Sequence, residues 1–396
     1  MGQRTYRAGA VPALASRTVA VQSPTAAFSP AAEILSVVRV DPMSDPRWEA
    51  FIAAHPDASI YHHARWIEVL TREYRRPAIC LACVDRRQNV RGVLPLLETR
   101  GLPLAGGTTG RRISSLPRTP VAGPLARDES TATALLNAAI GIARQRNSRL
   151  ELRLSSPSCD RLVDGLAGEP WRPSYRLPLP ADPEKLRFGD SRNHARIKWA
   201  LGKAARSDVV VRAAESLDDL SRWYPLYLST MQRHAAPTRP YRFFTAAWEL
   251  LRPTGLMQLL LAEQRGGGQA RLLAGSMFFR FGSTVFYASN GCSEAGKQLR
   301  ANDVIQWQAI HEACQAGFRW YDLGEVVESQ EGLHEFKRKW GAEAYRVYRY
   351  YYPSPGPVEA IARDSHGVHG RLAKAAWRRL PLRVAAAMSD HLYGYL

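Results

Sequence analysis

Two kinds of chemistry-bearing residue stand out in this 396-residue chain, a strand-end carboxylate and several spaced cations. Asp322 closes the run Phe-Arg-Trp-Tyr-Asp-Leu-Gly, which reads as a buried strand. Open α/β sheets bind ligands at strand ends. A carboxylate there can take a proton from an amine or orient it. It can equally cap the next segment or pair with Arg319 or Lys337. The cations fall in two places. Arg192, Arg196, Trp199, Lys203 and Arg206 lie at i, i+4, i+7, i+11 and i+14, one stripe of a helix. Such a stripe can grip phosphates and stack a base or a lipid edge; a solvated helix face is the plainer reading. Lys297 and Arg300 sit in the loop GCSEAGKQLRAND, just before a helix whose N-terminus attracts anions.

The elements that must position these groups follow from pattern. DPRWEAFIAAH predicts a helix capped by Asp45, with Pro46 at its first turn. HARWIEVLTREY is a second helix, AICLACV a strand and VRGVLPLLETR the returning strand. ESTATALLNAAIGIARQR is a helix and RLELRL the strand after it. The order then recurs as YRFFTAAWELL, GLMQLLLAE, ARLLAGSMFFRF with GSTVFYASN, a helix capped at Asn302-Asp303, and FRWYDLG. A helix–strand–strand–helix–strand series occurring twice suggests one α/β unit duplicated. Between the copies, Asp190 or Ser191 caps the basic helix, with Ile197, Ala200, Leu201 and Ala204 on its apolar side. Residues 1–33 are rich in Ala, Ser, Pro and Arg and predict a disordered arm. The expected domains are 34–175 and 176–353, followed by a linker and basic helices over 354–396.

Whole-chain properties narrow the function classes. Fifty-four Lys and Arg against 36 Asp and Glu leave a net charge of +18, which favours polyanionic partners. An Arg-rich composition without functional meaning is the alternative. Five cysteines show no disulfide framework, and Cys80 and Cys83, three apart on a strand, point to opposite faces. His62, His63 and His311 have no partners at metal-ligand spacing, so no metal is expected. No run of about 18 apolar residues predicts a transmembrane helix, and AVPALA is too short for a signal-peptide core. A cytoplasmic protein is expected. After PSPGP, Arg371, Lys374, Arg378, Arg379 and Arg383 alternate with Leu372, Trp377, Leu380 and Leu382. That pattern fits a helix on the inner face of an anionic membrane, or one packed over the core.

Several segments together resemble FemAB-like proteins, across most of residues 40–352: DPRWEAFIAAHPDASIYHHARWIEVL, SRNHARIKWALGKAARSDVVVR, AGSMFFRFGSTVFYASNG, NDVIQWQAIHEACQAGFRWYDLGE and GLHEFKRKWGAE. The exosortase-associated FemAB subgroup is the variant the chain most resembles. The resemblance implies an α/β (α+β) fold of two GNAT-like (acyl-CoA N-acyltransferase) domains in tandem, with mixed sheets flanked by helices. It implies transfer of an aminoacyl or acyl group to an amine of a peptidoglycan or exopolysaccharide precursor. Aminoacyl-tRNA or acyl-CoA would be the co-substrate, a phosphorylated or lipid-linked envelope precursor the acceptor, with no tightly bound cofactor and no DNA. Lys337 of the Phe336-Lys337 pair matches the family's transfer-site lysine, and would stabilise charge at the acyl carbonyl or a neighbouring phosphate. MQRHAAPTRPYRFF resembles an acceptor-side loop, making Arg233 and His234 candidates, His234 as a base. The loop at 290–302 departs from the GNAT pattern, because only Gly291 and Gly296 stand where closely spaced glycines are usual. Two other readings remain open: a CoA-dependent acetyltransferase acting on a small metabolite or sugar amine, and a non-catalytic tandem-GNAT protein that binds a polyanionic glycan or lipid carrier.

Overall fold

A computed structural model of the protein describes residues 34–100, 103–104, 107–108, 110–155, 157, 159–188, 190–266, 270–354 and 377–392. The expected arm at 1–33 and residues 355–376 of the expected C-terminal segment lie outside the described residues. Local sequence sets the first elements. Asp45 accepts from the backbone N–H of Arg47 and starts α1 (Pro46–Ala54), whose Trp48, Phe51 and Ile52 are buried. His63 caps α2 (Ala64–Tyr74) in the same way.

Strands β1 (Ser36–Arg39), β2 (Ala78–Val84), β3 (Val90–Thr99), β4 (Arg112–Ser114) and β5 (Arg149–Leu154) belong to the first half of the chain. Helix α3 (Glu129–Gln145) lies between β4 and β5. Next come β6 (Ala167–Pro178), α4 (Ser191–Ala205) and β7 (Val209–Ala213). The series continues with α5 (Leu217–Arg233), α6 (Tyr241–Leu251), β8 (Met257–Gln264), β9 (Arg271–Phe281) and β10 (Thr284–Cys292). It closes with α7 (Glu294–Gln298), α8 (Ala301–Gln315), β11 (Trp320–Glu325), α9 (Glu331–Lys339), β12 (Glu343–Tyr352) and α10 (Leu382–Leu392).

All twelve strands join one sheet, in the order β1-β2-β3-β4-β5-β12-β6-β11-β10-β9-β8-β7, with a thirteenth short strand, Leu125–Ala126, beside β3. Read inward from either edge, the pattern is the same. Three antiparallel pairings precede one parallel pairing, β4 with β5 and β10 with β11. The two central strands are exchanged. β6 follows β5 in sequence but pairs with β11, whereas β12 follows β11 but pairs with β5. β6 and β12 then pair with each other. Position 175, where the sequence suggests a domain junction, lies inside β6.

Alternation along the strands feeds both faces of the sheet. Cys80, Ala82 and Val84 join one core with residues of α1, α2, α5 and α6, while Ile79, Leu81 and Cys83 join another beneath α3. A third core lies under α4 and α8. Cys80 and Cys83 therefore serve separate cores, and all five cysteines are buried, with no disulfide among the described residues. Helices α2 and α6 pack together, tying the halves on one face.

One expectation needs correction. Asn302-Asp303 does not cap α8: Arg300 occupies the cap position in a left-handed conformation, and Asn302 lies within the first turn. The reason is local, since Ser293 caps the short α7 and a tight turn follows it. Of the two places expected for the C-terminal helix, the described residues show it packed on the core. Gln232 donates to the carbonyls of Trp377 and Leu380, Thr238 N–H to Ser389 Oγ, and Arg242 pairs with Asp390.

Candidate active site

The parallel pairing of β10 with β11 covers only Thr284↔Trp320, Val285↔Tyr321 and Phe286↔Asp322. Beyond it the strands part. β10 runs on to Cys292 along β9, while β11 runs to Glu325 along β6. A cavity of about 420 Å³ opens there, with Tyr287 to Asn290 on one wall and Leu323 to Glu325 on the other. Asp322, Lys337 and His234 all line it, so the structure gathers the three candidate catalytic side chains into one cleft.

Each is held differently. Asp322 is buried; one carboxylate oxygen accepts from the N–H of Gly324 at 2.6 Å and the other from Tyr345 Oη at 2.7 Å. It thus caps the following backbone and pairs with neither Arg319 nor Lys337. Burial raises its pKa, against the opposing pull of these hydrogen bonds and of Lys337 and Arg176. Lys337 is buried too, donating to the carbonyls of Gly324 at 2.6 Å and Glu325 at 3.1 Å. An ammonium has three donors, so these two bonds leave one for the cleft. Desolvation lowers its pKa to about 8. His234 ends α5 at the rim, its pKa lowered by burial and by Arg233, Lys297 and Arg378. A neutral imidazole is the form that can accept a proton.

Five of the predicted binding residues gather elsewhere. Arg196, Lys297, Arg300, Asn302 and Phe336 line a second cavity, of about 270 Å³, between α4, the start of α8 and α9. Lys339 adds a further cation, although it is paired with Asp303. Asn302 Oδ1 is buried there without a hydrogen-bond partner among the described residues, an unmet acceptor that invites a donor. At its side stands Trp199, 52% exposed, with the Arg300 guanidinium 5.0 Å and the Lys203 ammonium 5.6 Å from its ring. Helix α9 divides the two cavities, presenting Phe336 to one and Lys337 to the other. Arg192 and Arg233 line neither. Arg233 holds the end of β10 instead, donating to Cys292 O and Thr230 Oγ1 while pairing with Glu294.

Sequence reasoning missed several cleft residues. Arg118 and Arg239 line the wall facing β11. Arg239 is locked by the wholly buried Glu73 at 2.7 Å and by the Arg118 carbonyl at 3.0 Å. Tyr61 comes from the first half, and Tyr345 and Arg176, which line a smaller cavity on the other side of Asp322, come from the exchanged central strands. No spacing rule links these to Asp322; only the strand order brings them near. Among the described residues no group of three His, Cys, Asp or Glu is placed to hold a metal, and no helix is long and apolar enough to cross a membrane.

The first half contains the corresponding strand pair, and there the opening is shut. β4 and β5 pair from Arg112↔Arg149 to Ser114↔Glu151, so Glu151 matches Asp322 in register. Beyond that point the 115–122 segment laces itself to β5. Ser115 N–H donates to Glu151 O, Arg153 N–H to Ser115 Oγ and Ala122 N–H to Arg153 O. Glu151 is enclosed by Arg153, Arg349 and Arg112; despite burial, they lower its pKa to about 2.

The two halves share a pattern of strand pairing, but among the described residues only the second keeps a cleft between its parallel strands, and comparisons with known proteins point to that half. Residues 189–338 match the family model described as an acetyltransferase (GNAT) domain. This stretch is a GNAT domain of the FemAB type, in a chain whose fold is FemAB-like. The structure is similar to that of FemX, with a TM-score of 0.63 at 16% identity, covering 82% of this chain and 99% of that one. It is also similar to the C-terminal domain of a putative lysylphosphatidylglycerol synthetase from Agrobacterium fabrum, at TM-score 0.53 and 13% identity over 80% and 94% of the two chains. L-PGS from Bacillus licheniformis gives TM-score 0.53 and 10% identity over 83% and 97%. No curated protein matches the sequence.

Proposed function

We propose that the chain transfers an acyl or aminoacyl group from an activated donor to an amine, at the cleft between β10 and β11. The observation that carries this reading is the juxtaposition of Asp322 and Lys337 where the two strands part. The unladdered edge of β10 offers backbone groups to an extended donor arm, as any free strand edge does. The cavity at the start of α8 would take the donor's phosphates on Arg196, Lys297 and Arg300, with Trp199 available to stack a base. In the transfer the amine gives a proton to Asp322 and attacks the donor carbonyl. A C–N bond forms, the donor's ester or thioester bond breaks, and the leaving oxygen or sulfur takes up a proton. Lys337, whose ammonium faces the cleft, stabilises the oxyanion of the tetrahedral state.

FemX and the lysylphosphatidylglycerol synthetases are the named neighbours, which supports an acceptor from the cell envelope. A lipid-linked acceptor would reach the cleft past the segment that precedes α10, where Arg378 donates to the Arg233 carbonyl at the rim. Titration calorimetry of the full chain with acetyl-CoA, and separately with aminoacylated tRNA, tests the donor site. One of the two donors is expected to bind, with salt-sensitive affinity. Replacing Lys297 and Arg300 together by Glu should weaken it at least tenfold, about 1.4 kcal/mol. Binding of neither donor, alongside binding of a polyanionic glycan, would replace this reading with that of a non-catalytic carrier protein.

A further inference from the structure

Asp322 faces a second, smaller cavity of about 160 Å³, which shares Tyr61, Pro120, Phe286 and Asp322 with the cleft. Arg176 lines the same cavity beside it. Asp322 and Arg176 are direct cross-strand partners of β11 and β6, so their side chains leave the same face of the sheet with Cβ atoms roughly 4.5–5.5 Å apart. Opposite charges so placed ordinarily pair. Among the described residues these two form no ion pair and no mutual hydrogen bond. Asp322 is turned to Gly324 N–H and Tyr345 Oη. The Arg176 guanidinium lies between two rings, 4.1 Å from the Trp320 centroid and 5.1 Å from that of Tyr345. Its edge carries no hydrogen bond to another described residue. Arginine presents a planar fork that matches a carboxylate bidentately, and stacking fixes that fork in place.

We propose that this cavity binds a small amino-carboxylate, with the carboxylate on Arg176 and the ammonium on Asp322. The charge of the lining favours a zwitterion over either half alone. Among the described residues Arg176 is the cavity's only cation, Asp322 lines its inner end, and Asp57 lies exposed at its mouth. A bare carboxylate would meet two carboxylates, and a bare amine would meet the guanidinium. The volume holds the equivalent of about five waters at roughly 30 Å³ each, enough for a glycine- or alanine-sized group. Ser59 and Thr284 add hydroxyls along the wall. The inference deepens the acyl-transfer reading, on which it rests only for the fate of the amine: bound here, the amine meets the donor carbonyl at Asp322. The acceptor class would then be a free small amino acid, or a longer acceptor ending in one whose amine and carboxylate are neighbours.

Titration calorimetry on the full chain tests this without any donor, using glycine, L-alanine, acetate and ethylamine. Glycine or alanine is expected to bind at least tenfold more tightly than acetate or ethylamine. Arg176→Gln should weaken amino acid binding at least tenfold, with circular dichroism confirming that the variant is folded. The comparison among the four ligands needs no variant, so a misfolded Arg176→Gln leaves the test intact. Binding of acetate or ethylamine as tight as that of the amino acids would overturn the proposal. So would failure of both amino acids to bind at high millimolar concentration, or unchanged amino acid binding by folded Arg176→Gln. Amino acid binding without donor binding would support this site while sinking the transfer reading; donor binding without amino acid binding would do the reverse.

Discussion

Burial moves Lys337 and Asp322 in opposite directions along the pH scale, toward their neutral forms. The proposed transfer would use the charged form of each, a carboxylate that takes a proton and an ammonium that faces the oxyanion. On the alkaline side Lys337 loses its proton near pH 8, so kcat/KM should fall as pH rises through that value. On the acid side burial makes Asp322 gain its proton at a higher pH than an exposed aspartate, so kcat/KM should fall earlier than an exposed aspartate would dictate. The pH profile is therefore bell-shaped. Lys337→Met should remove the alkaline limb and slow transfer by roughly 100-fold, in the range for deleting one oxyanion donor. A profile in the variant that keeps its limb near pH 8 would take Lys337 out of the reaction. Lys337 is the residue a motif points to. Arg176 and Tyr345 are not, because each meets Asp322 only through strand pairings set by the central exchange, and their own neighbours in sequence read as ordinary strand.

At the level of elements, the ladder between β10 and β11 ends at Phe286↔Asp322, and the packing on either side shows why. Gly291 lets α5 approach so closely that a Cβ there would lie 2.4 Å from Tyr227 N. The side chains of Thr230 and Arg233 then take the N–H and C=O of Cys292, drawing the end of β10 away from β11. The sequence marks these strands and helices well, because their alternating and helical patterns are strong. The parting of β10 from β11 has no such mark, since it depends on a helix crossing from elsewhere in the chain. The same holds for α10. Its charge pattern fits either a membrane surface or a packed helix; Thr238 and Arg242 hold it to the core, and Gln232 of α5 holds the Trp377–Leu380 stretch before it. Docking still leaves Arg379, Arg383, Val384 and Met388 exposed, a mixed basic and apolar face suited to anionic lipid. Flotation with vesicles containing phosphatidylglycerol should carry the full chain upward at low salt. Arg379→Glu with Arg383→Glu should reduce the floated fraction several-fold; equal flotation of this double variant would remove α10 from membrane contact.

Across the whole molecule, one pairing pattern is used twice with unequal results. The exchange of β6 and β12 makes a continuous sheet of two related halves, and puts Glu151 and Asp322 at matching positions. The first half fills its opening with residues 115–122 and neutralises its carboxylate with three arginines. The second half leaves its opening free and holds its carboxylate with a tyrosine and one backbone N–H. The repeated order of elements was legible from hydrophobic patterning. The exchange was not, because β6 and β12 look alike as strands, and pairing partners far apart in sequence leave no periodic trace. Under the proposed function this asymmetry would put transfer in the second half alone, which the matching pair of carboxylates can test. The measurement is the acyl-transfer rate per folded molecule of Asp322→Asn and Glu151→Gln, with whichever donor binds. Asp322→Asn should lose at least about 100-fold, as expected for removing a general base. Glu151→Gln should lose stability while keeping its rate within a few-fold. Full activity in Asp322→Asn, or an equal loss in folded Glu151→Gln, would contradict the account.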